Sequence, residues 1–234
     1  FGATTHEGFL DLVKALDGVE EIKRYRISSL EPDLLSDDLI EYCAHSRAFM
    51  PHFHIPLQSG SDAVLKLMHR RYDSALFAHK IRLIKKFMPD AFIGVDVMVG
   101  TRGETPELFE ETYEFLKGLD VTHLHVFPYS ERPGTAALRI PYVVADKDKK
   151  LRSKRLLDMS DEKQHAFYAS YIGTEAEVLF EKAPKGKAMH GFTKNYVRVE
   201  LPAALSSDEL DNQLVMVRLG DFNHDKSALK CEII

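Results

Sequence analysis

Between His52 and Tyr72 the chain reads HFHIPLQSGSDAVLKLMHRRY. Its first part alternates, with Phe53, Ile55 and Leu57 on one list and His52, His54, Pro56 and Gln58 on the other. Period two with one apolar side is the pattern of a strand covered on one face. The alternation stops at Ser59-Gly60-Ser61, and an apolar helical spacing starts at once. Strand, polar glycine turn and helix in direct succession place the turn at the carboxyl end of a parallel strand. That is where α/β barrels keep their active sites. An all-helical or all-antiparallel fold has no use for such a unit.

The same alternation of elements extends on both sides. Strands are expected near 21–29, 52–58, 91–100 and 122–129, and helices near 5–17, 36–48, 62–70, 74–87 and 106–117. The last helix has Thr105 as N-cap, Pro106 in the first helical position, Glu107 in the first turn and Gly118 as its stop. Strand–helix–strand repeats give a parallel sheet with helices against it. Ile93, Val95, Val97 and Val99, with Leu124 and Val126, continue the apolar list that must meet those helices. The opposite list carries Arg26, Ser28, His52, His54, Gln58, Asp96, His123, His125 and Tyr129. Charged groups are not buried without partners, so that face encloses water, a ligand or a network of charges. A structural barrel would be filled by branched aliphatics instead. Mutual pairing, Arg26 with Asp96 for instance, accounts for part of this polarity but not for four strands of it.

With 234 residues, 44% of them hydrophobic, the chain can bury a substantial core. A net charge of -5 gives no global pull toward nucleic acid, so an RNA surface has to be local. No apolar run approaches the roughly 20 residues of a membrane span. Two cysteines, Cys43 and Cys231, exclude a disulfide framework and make a reducing, cytoplasmic setting the expectation. Cys43 lies in an apolar-periodic run and reads as an inert core thiol. The chain starts at Phe1, inside what becomes a helix, and this suggests a piece of a longer protein.

The pattern His-x-Pro-x-Gln-Ser-Gly-Ser followed by Met-x-Arg-x-Tyr is carried by His54, Pro56, Gln58, Ser59, Gly60, Ser61, Met68, Arg70 and Tyr72. It resembles the radical-SAM methylthiotransferases, which add a methylthio group to tRNA or to a ribosomal protein. The resemblance implies a partial radical-SAM (β/α) barrel. The run from Gly94 to Thr112 is similar to the family's fifth-strand motif, which helps hold S-adenosylmethionine. This sequence has Thr101-Arg102 where the family usually has Phe-Pro. The run from His125 to Ala137 matches the sixth strand and its loop, which implies adenine neighbours at Phe127, Pro128 and Tyr129; without the resemblance, Phe127 and Tyr129 read as core aromatics. By the same resemblance Ser28, Gln58, Ser59, Asp96, Met98 and Gly100 are the remaining candidates for contact with S-adenosylmethionine, and Arg70 for contact with substrate. The segment RISSLEP, from Arg26 to Pro32, looks most like the branch that acts on threonylcarbamoyladenosine in tRNA.

Residues 147–155, KDKKLRSKR, form a basic helix, read either as a solvated face or as a phosphate-contacting stripe. From Gly173 the pattern changes to short alternating segments, TEAEVLFE, NYVRVEL and QLVMVRL, expected to form a small antiparallel β-barrel. It resembles the RNA-binding TRAM domain that closes most methylthiotransferases. Lys182, Lys185, Lys187, Lys194 and Arg198 occur with no acid among them, beside Phe192 and Tyr196. Cations interleaved with aromatics suit phosphate contact and base stacking on an RNA loop, and equally describe a solvated strand face. The expected organisation is a partial barrel over 1–145, a basic linker helix over 146–172 and the TRAM-like barrel over 173–234.

The family binds a four-iron–four-sulfur cluster through a Cys-x-x-x-Cys-x-x-Cys loop, and this sequence has no such loop. Thiolate ligands are required for that cluster. The resemblance therefore implies S-adenosylmethionine and two 4Fe-4S clusters in a full-length enzyme, with neither held tightly by this chain, which would be inactive alone. It implies a tRNA anticodon arm as partner, and neither DNA nor membrane. A second class stands beside it: a metal-dependent hydrolase using the pairs His52/His54 and His123/His125, completed by Asp96. A third is an RNA-binding module without chemistry. On the favoured reading no residue is a metal ligand.

Overall fold

In the computed structural model, residue 4 and residues 6–234 are described. The chain divides into two compact units, residues 1–160 and 161–234.

The first unit is built on three parallel strands, β1 (His52–Gln58), β2 (Phe92–Val99) and β3 (His123–Pro128), in the order β1-β2-β3. His52 stands opposite Phe92, and Gly94 opposite His123. Five helices belong to it: α1 (Phe9–Asp17), α2 (Asp37–His45), α3 (Asp62–Leu67), α4 (Ser74–Phe87) and α5 (Pro106–Lys117). Residue 5, where the first helix was expected to start, lies outside the described residues, as does Phe1. Local chemistry sets most helix ends. The side chains of Ser36, Asp73 and Thr105 accept from the amides of Leu39, Leu76 and Leu108, each satisfying a donor the first turn leaves open.

The apolar list of each strand is buried as the alternation requires. Ile55, Leu57, Ile93, Val95, Val97 and Val99 have no exposed surface, and they pack in one core with Ile40, Phe77, Ile81, Ile84, Phe109 and Leu116. Each such burial stabilises by about 1.5–3 kcal/mol, which fixes the face each strand turns to the helices.

Two expectations about this sheet need correction. Residues 21–29 do not form a strand. They make a single parallel bridge, Tyr25 with Phe49, closed by Tyr25 N–H to Ala48 O (2.7 Å) and Met50 N–H to Tyr25 O (2.9 Å). Of 21–29, Ile27 alone is buried, so little hydrophobic burial holds the segment against the sheet in a regular ladder. The alternation along β1 also breaks before its end. A bulge between Pro56 and Gln58 sets Gln58 opposite Val97, with Gln58 at φ +70°. Strict period two would have set Gln58 opposite Met98. Pro56 is likewise buried, although it falls on the polar list.

The second unit contains a closed barrel of five strands: β4 (Glu175–Phe180), β5 (Met189–Thr193), β6 (Arg198–Leu201), β7 (Leu214–Phe222) and β8 (Leu229–Ile233), in the order β4-β5-β6-β8-β7. Three of these follow the segments read from the sequence. The sequence pattern missed β5, which is five residues long with a central glycine, and β8, which carries Lys230 and Glu232. The barrel is also not wholly antiparallel, since β6 and β8 run parallel. Parity demands it, because a ring with an odd number of strands cannot alternate direction at every step. Val178, Phe180, Val199, Leu201, Val217 and Leu229 fill the inside. At Gly191 a Cβ would sit 2.5 Å from Leu179 O, so the β4–β5 approach requires glycine there.

A 24-residue helix, α6 (Asp146–Ala169), crosses the boundary. Its Leu156 and Met159 belong to the core of the first unit, and its Tyr168 is buried in the second. No helix among the described residues is long and apolar enough to cross a membrane.

Candidate functional site

The polar face of the three-stranded sheet is organised around Asp96 in the middle of β2. His54 on β1 shares a 2.6 Å hydrogen bond between Nε2 and Asp96 Oδ1. His125 on β3 stands in register with Asp96, its ring 4.8 Å from that of His54. The sequence pairs histidines along each strand; the fold adds the cross-strand pair His54–His125 to the His123–His125 contact along β3. His52 instead stacks on Phe92 at 5.5 Å, and His123 Nδ1 lies 3.0 Å from Ser160 Oγ. Burial pushes the His52 imidazole down to about 4, with the Arg26 charge adding to it. His125 is also shifted down, first by burial and then by His54, against the pull of Asp96. Asp96 thus pairs with His54.

The turn after β1 is a structural device. Thr112 on α5 accepts from the Gly60 amide (3.1 Å) and lies 3.0 Å from Ser59 Oγ, while Ser61 Oγ donates to Glu111 at 2.6 Å. A Cβ on Gly60 would meet Phe115 at 2.8 Å. Ser59 is fully buried in this network. Tyr72 donates to the carbonyls of Pro56 (3.0 Å) and Leu57 (3.2 Å), and burial pushes its hydroxyl up to about 12. Arg70 bonds Glu31 at 2.8 Å. Much of the conspicuous 52–72 pattern is therefore scaffold for the strand end.

The loop after β2 differs from expectation in its contacts. Gly100 has φ +75°, and the space beside it is taken by the Lys149 side chain, where a Cβ would meet Cγ at 2.3 Å. Its amide donates to Glu104 Oε1 at 2.9 Å. The missing Cβ at Gly100 lets the Lys149 side chain of α6 pack there. Glu104, with its side chain 1% exposed, is paired with Arg152 of α6. Burial pushes the Glu104 carboxyl up, opposed by the Gly100 amide and the Arg152 guanidinium. Arg102 bonds Glu131 (2.7 Å) and the carbonyls of Leu138 and Ile140, tying down the loop after β3. Thr112, Glu104, Arg152 and Ser160 escaped the sequence reading, because their roles come from partners more than thirty residues away.

At the carboxyl ends of β2 and β3, Met98 is half-buried while Phe127 is 50% exposed and Pro128 exposed. Phe127 is thus no core aromatic. Ser28 is also exposed, and Tyr129 lines an open depression of about 620 Å³ with Arg102 and Lys149.

In the second unit Phe192 and Tyr196 stack on each other at 4.5 Å and 15° across the β5–β6 hairpin. Tyr196 sits at φ +67°, and Val197 N–H to Thr193 Oγ1 (2.9 Å) closes the turn. Lys182, Lys185, Lys187 and Lys194 are exposed, and none forms an ion pair with a described residue; Arg198 is half-buried.

The family model of the Radical SAM superfamily matches residues 2–116, which hold the whole of β1, β2 and α1 to α4 and all but the last residue of α5. This chain belongs to the Radical SAM superfamily. It is 37% identical over 216 residues to the threonylcarbamoyladenosine tRNA methylthiotransferase MtaB of Bacillus subtilis, covering 90% of this chain and 47% of that protein. It is 36% identical over 173 residues to the tRNA-2-methylthio-N(6)-dimethylallyladenosine synthase of Thermobifida fusca, covering 74% and 35%. The chain spans about half the length, or less, of the curated relatives it matches. Among solved structures, the radical SAM enzyme coproporphyrinogen III oxidase (HemN) from Escherichia coli aligns with a TM-score of 0.54 at 15% identity, over 82% of this chain and 52% of that one, a likeness of fold.

Members of this superfamily use S-adenosylmethionine with an iron–sulfur cluster, and the residues here fit the two unequally. Cys43 and Cys231 are both buried, one in each unit, with their thiols pushed up to about 12 by burial. Two such thiols do not make the thiolate set a cluster requires. The exposed Phe127 and Pro128 beside half-buried Met98 do fit a flat aromatic ring laid on the strand ends.

Proposed function

We propose that this chain is the substrate-facing part of a radical-SAM enzyme that methylthiolates a modified adenosine beside the tRNA anticodon. The observation that carries the proposal is the joining, in one Radical SAM chain, of a sheet with a polar face around Asp96 and a closed five-stranded barrel bearing unpaired lysines and a stacked aromatic pair. The relatives named above support tRNA as the substrate class. The RISSLEP segment favours threonylcarbamoyladenosine over dimethylallyladenosine, and relatives of both kinds match this chain.

In this reading Met98, Phe127, Pro128 and Tyr129 form the wall for the adenine of S-adenosylmethionine, which when bound supplies the radical chemistry. The chain's own groups position and exclude. Phe127 is half exposed beside the strand ends, His54 and Asp96 hold one another across the sheet, and Arg102 fixes the loop that borders the site. Cluster ligands are not among this chain's residues, so the chain alone is inactive. The barrel at 173–234 is the TRAM-like RNA grip, with Lys182, Lys185, Lys187, Lys194 and Arg198 for phosphates and Phe192 or Tyr196 for a base. A hydrolase built on the pairs His52/His54 and His123/His125 is disfavoured, because His52 and His123 are engaged with Phe92 and Ser160.

The test is fluorescence anisotropy with an anticodon stem-loop at several salt concentrations. Each lost phosphate contact lowers the slope of log affinity against log salt by about 0.7–0.9. Lys185→Ala with Lys194→Ala is expected to weaken binding and flatten that slope, while Glu209→Ala does neither. Wild-type affinity and slope in the double variant would show the lysines to be a solvated face.

A further inference from the structure

We propose that His54, Asp96 and His125 form a binding site for one divalent transition-metal ion, of which zinc is the best match. Among the described residues, these three each bring one ligand atom to a common point, and the three atoms lie within 4.8 Å of one another. Each comes from a different strand, and the register sets the arrangement. Asp96 stands opposite Pro56 on one side and His125 on the other, with His54 two residues back along β1.

The distances favour an ion. Zinc bonds imidazole nitrogen and carboxylate oxygen at about 2.0–2.2 Å, so tetrahedral ligand atoms stand about 3.3 Å apart. The present group brackets that value, from 2.6 Å between His54 Nε2 and Asp96 Oδ1 to 4.8 Å at most. Closing the set separates His54 Nε2 from Asp96 Oδ1 by about 0.7 Å and draws the widest pair together by at most about 1.5 Å. Two imidazoles and one carboxylate are also the donor set of catalytic zinc and of non-haem iron sites, in which positions are left open for water or substrate. Here the open side exists, since the side chains of His54 and Asp96 are 27% and 15% exposed.

The surroundings select these residues over their neighbours. Gly94 leaves room beside the His125 ring, where a Cβ would lie 3.4 Å from Nε2. The His123 ring packs edge-on against His125 at 4.6 Å while its Nδ1 is engaged by Ser160. His123 thus buttresses a ligand without being one, the outer-shell role metal sites depend on. The competing reading is a plain His54–Asp96 hydrogen bond with no ion.

Chelator-treated chain is titrated with zinc sulfate alone by calorimetry, and with cobalt(II) followed by its visible d–d absorption. The expected result is one ion per chain, with His125→Gln and Asp96→Asn each weakening binding more than about tenfold, as losses around metal sites do even beyond the ligands themselves. His69→Ala, an exposed histidine, and His190→Ala, which removes a lone His–Glu pair, leave binding unchanged. Circular dichroism establishes that each variant is folded. Should either substitution unfold the chain, His54→Gln and the cobalt spectrum decide: a tetrahedral spectrum that survives in folded His54→Gln overturns the proposal. Absence of stoichiometric zinc in the wild-type chain, or retention of full affinity in the ligand variants, also overturns it. The titration uses neither RNA nor S-adenosylmethionine, so its failure leaves the methylthiotransferase reading standing, and the reverse holds as well.

Discussion

Replacing Arg152 by methionine keeps most of the side chain's length and removes its charge, which isolates one buried ion pair. The Arg152 and Glu104 side chains are 8% and 1% exposed. Arg152 donates to both the carbonyl and the carboxylate of Glu104, and its guanidinium lies 5.2 Å from the Phe109 ring centroid. Without it the carboxylate keeps the Gly100 amide, a single donor, in a site closed to water. Removing one partner of a buried pair costs about 3–5 kcal/mol, because the remaining charge is left uncompensated. With a urea slope of about 2 kcal/mol per molar, the midpoint of the first unit's transition falls by about 2 M. The assay is urea unfolding followed by far-ultraviolet circular dichroism, with hydrogen exchange at the Gly100 amide reporting the loop. Glu104→Gln combined with Arg152→Met is expected to cost less than Arg152→Met alone, since no charge is then stranded. The sign with pH follows from the raised Glu104 carboxyl. The penalty in Arg152→Met is full where that carboxyl is ionised and eases as pH falls through its folded value. A single-variant cost below about 1 kcal/mol would refute the argument, being within the range of an exposed pair. So would a double variant costing as much as both single ones together.

Gly60→Ala is expected to destabilise by about 1–3 kcal/mol in the same unfolding assay, because its Cβ meets Phe115 at 2.8 Å and the Thr112 backbone at 3.0 Å. Gly94→Ala, with ordinary contacts of 3.4 Å and beyond, should cost far less. The Asp17 carboxyl is held below its ordinary value of 3.8: burial opposes this, but bonds from Ser46 (2.6 Å), the Ala48 amide (3.1 Å) and Tyr42 (3.2 Å) outweigh it. That contribution is present above pH 3.8 and lost as pH falls through the folded value. Asp17→Asn should therefore lose about 1 kcal/mol near neutral pH and show a shallower acid decline in thermal melts.

The sequence by itself determined three strands of the parallel sheet with the apolar list of each, and five of the helices, the last with its caps. Those features rest on local information: period-two burial in Ile93-Val95-Val97-Val99, the Thr105-Pro106 start, and a glycine turn following a strand. It also showed that one sheet face had to be polar, and that the cysteines were too few for a cluster. Tertiary structure decided what no local pattern encodes. The bulge at Gln58 arises where β1 meets β2, so strict alternation misplaced that residue. Thr112 stands beside Ser59 and Lys149 beside Gly100, each brought there by a helix distant in the chain. One parallel pair in the barrel follows from closing five strands into a ring. The His54–Asp96–His125 group exists only because strand register sets three residues, far apart in the chain, side by side; periodicity says which face a residue takes, and register alone says whom it meets there.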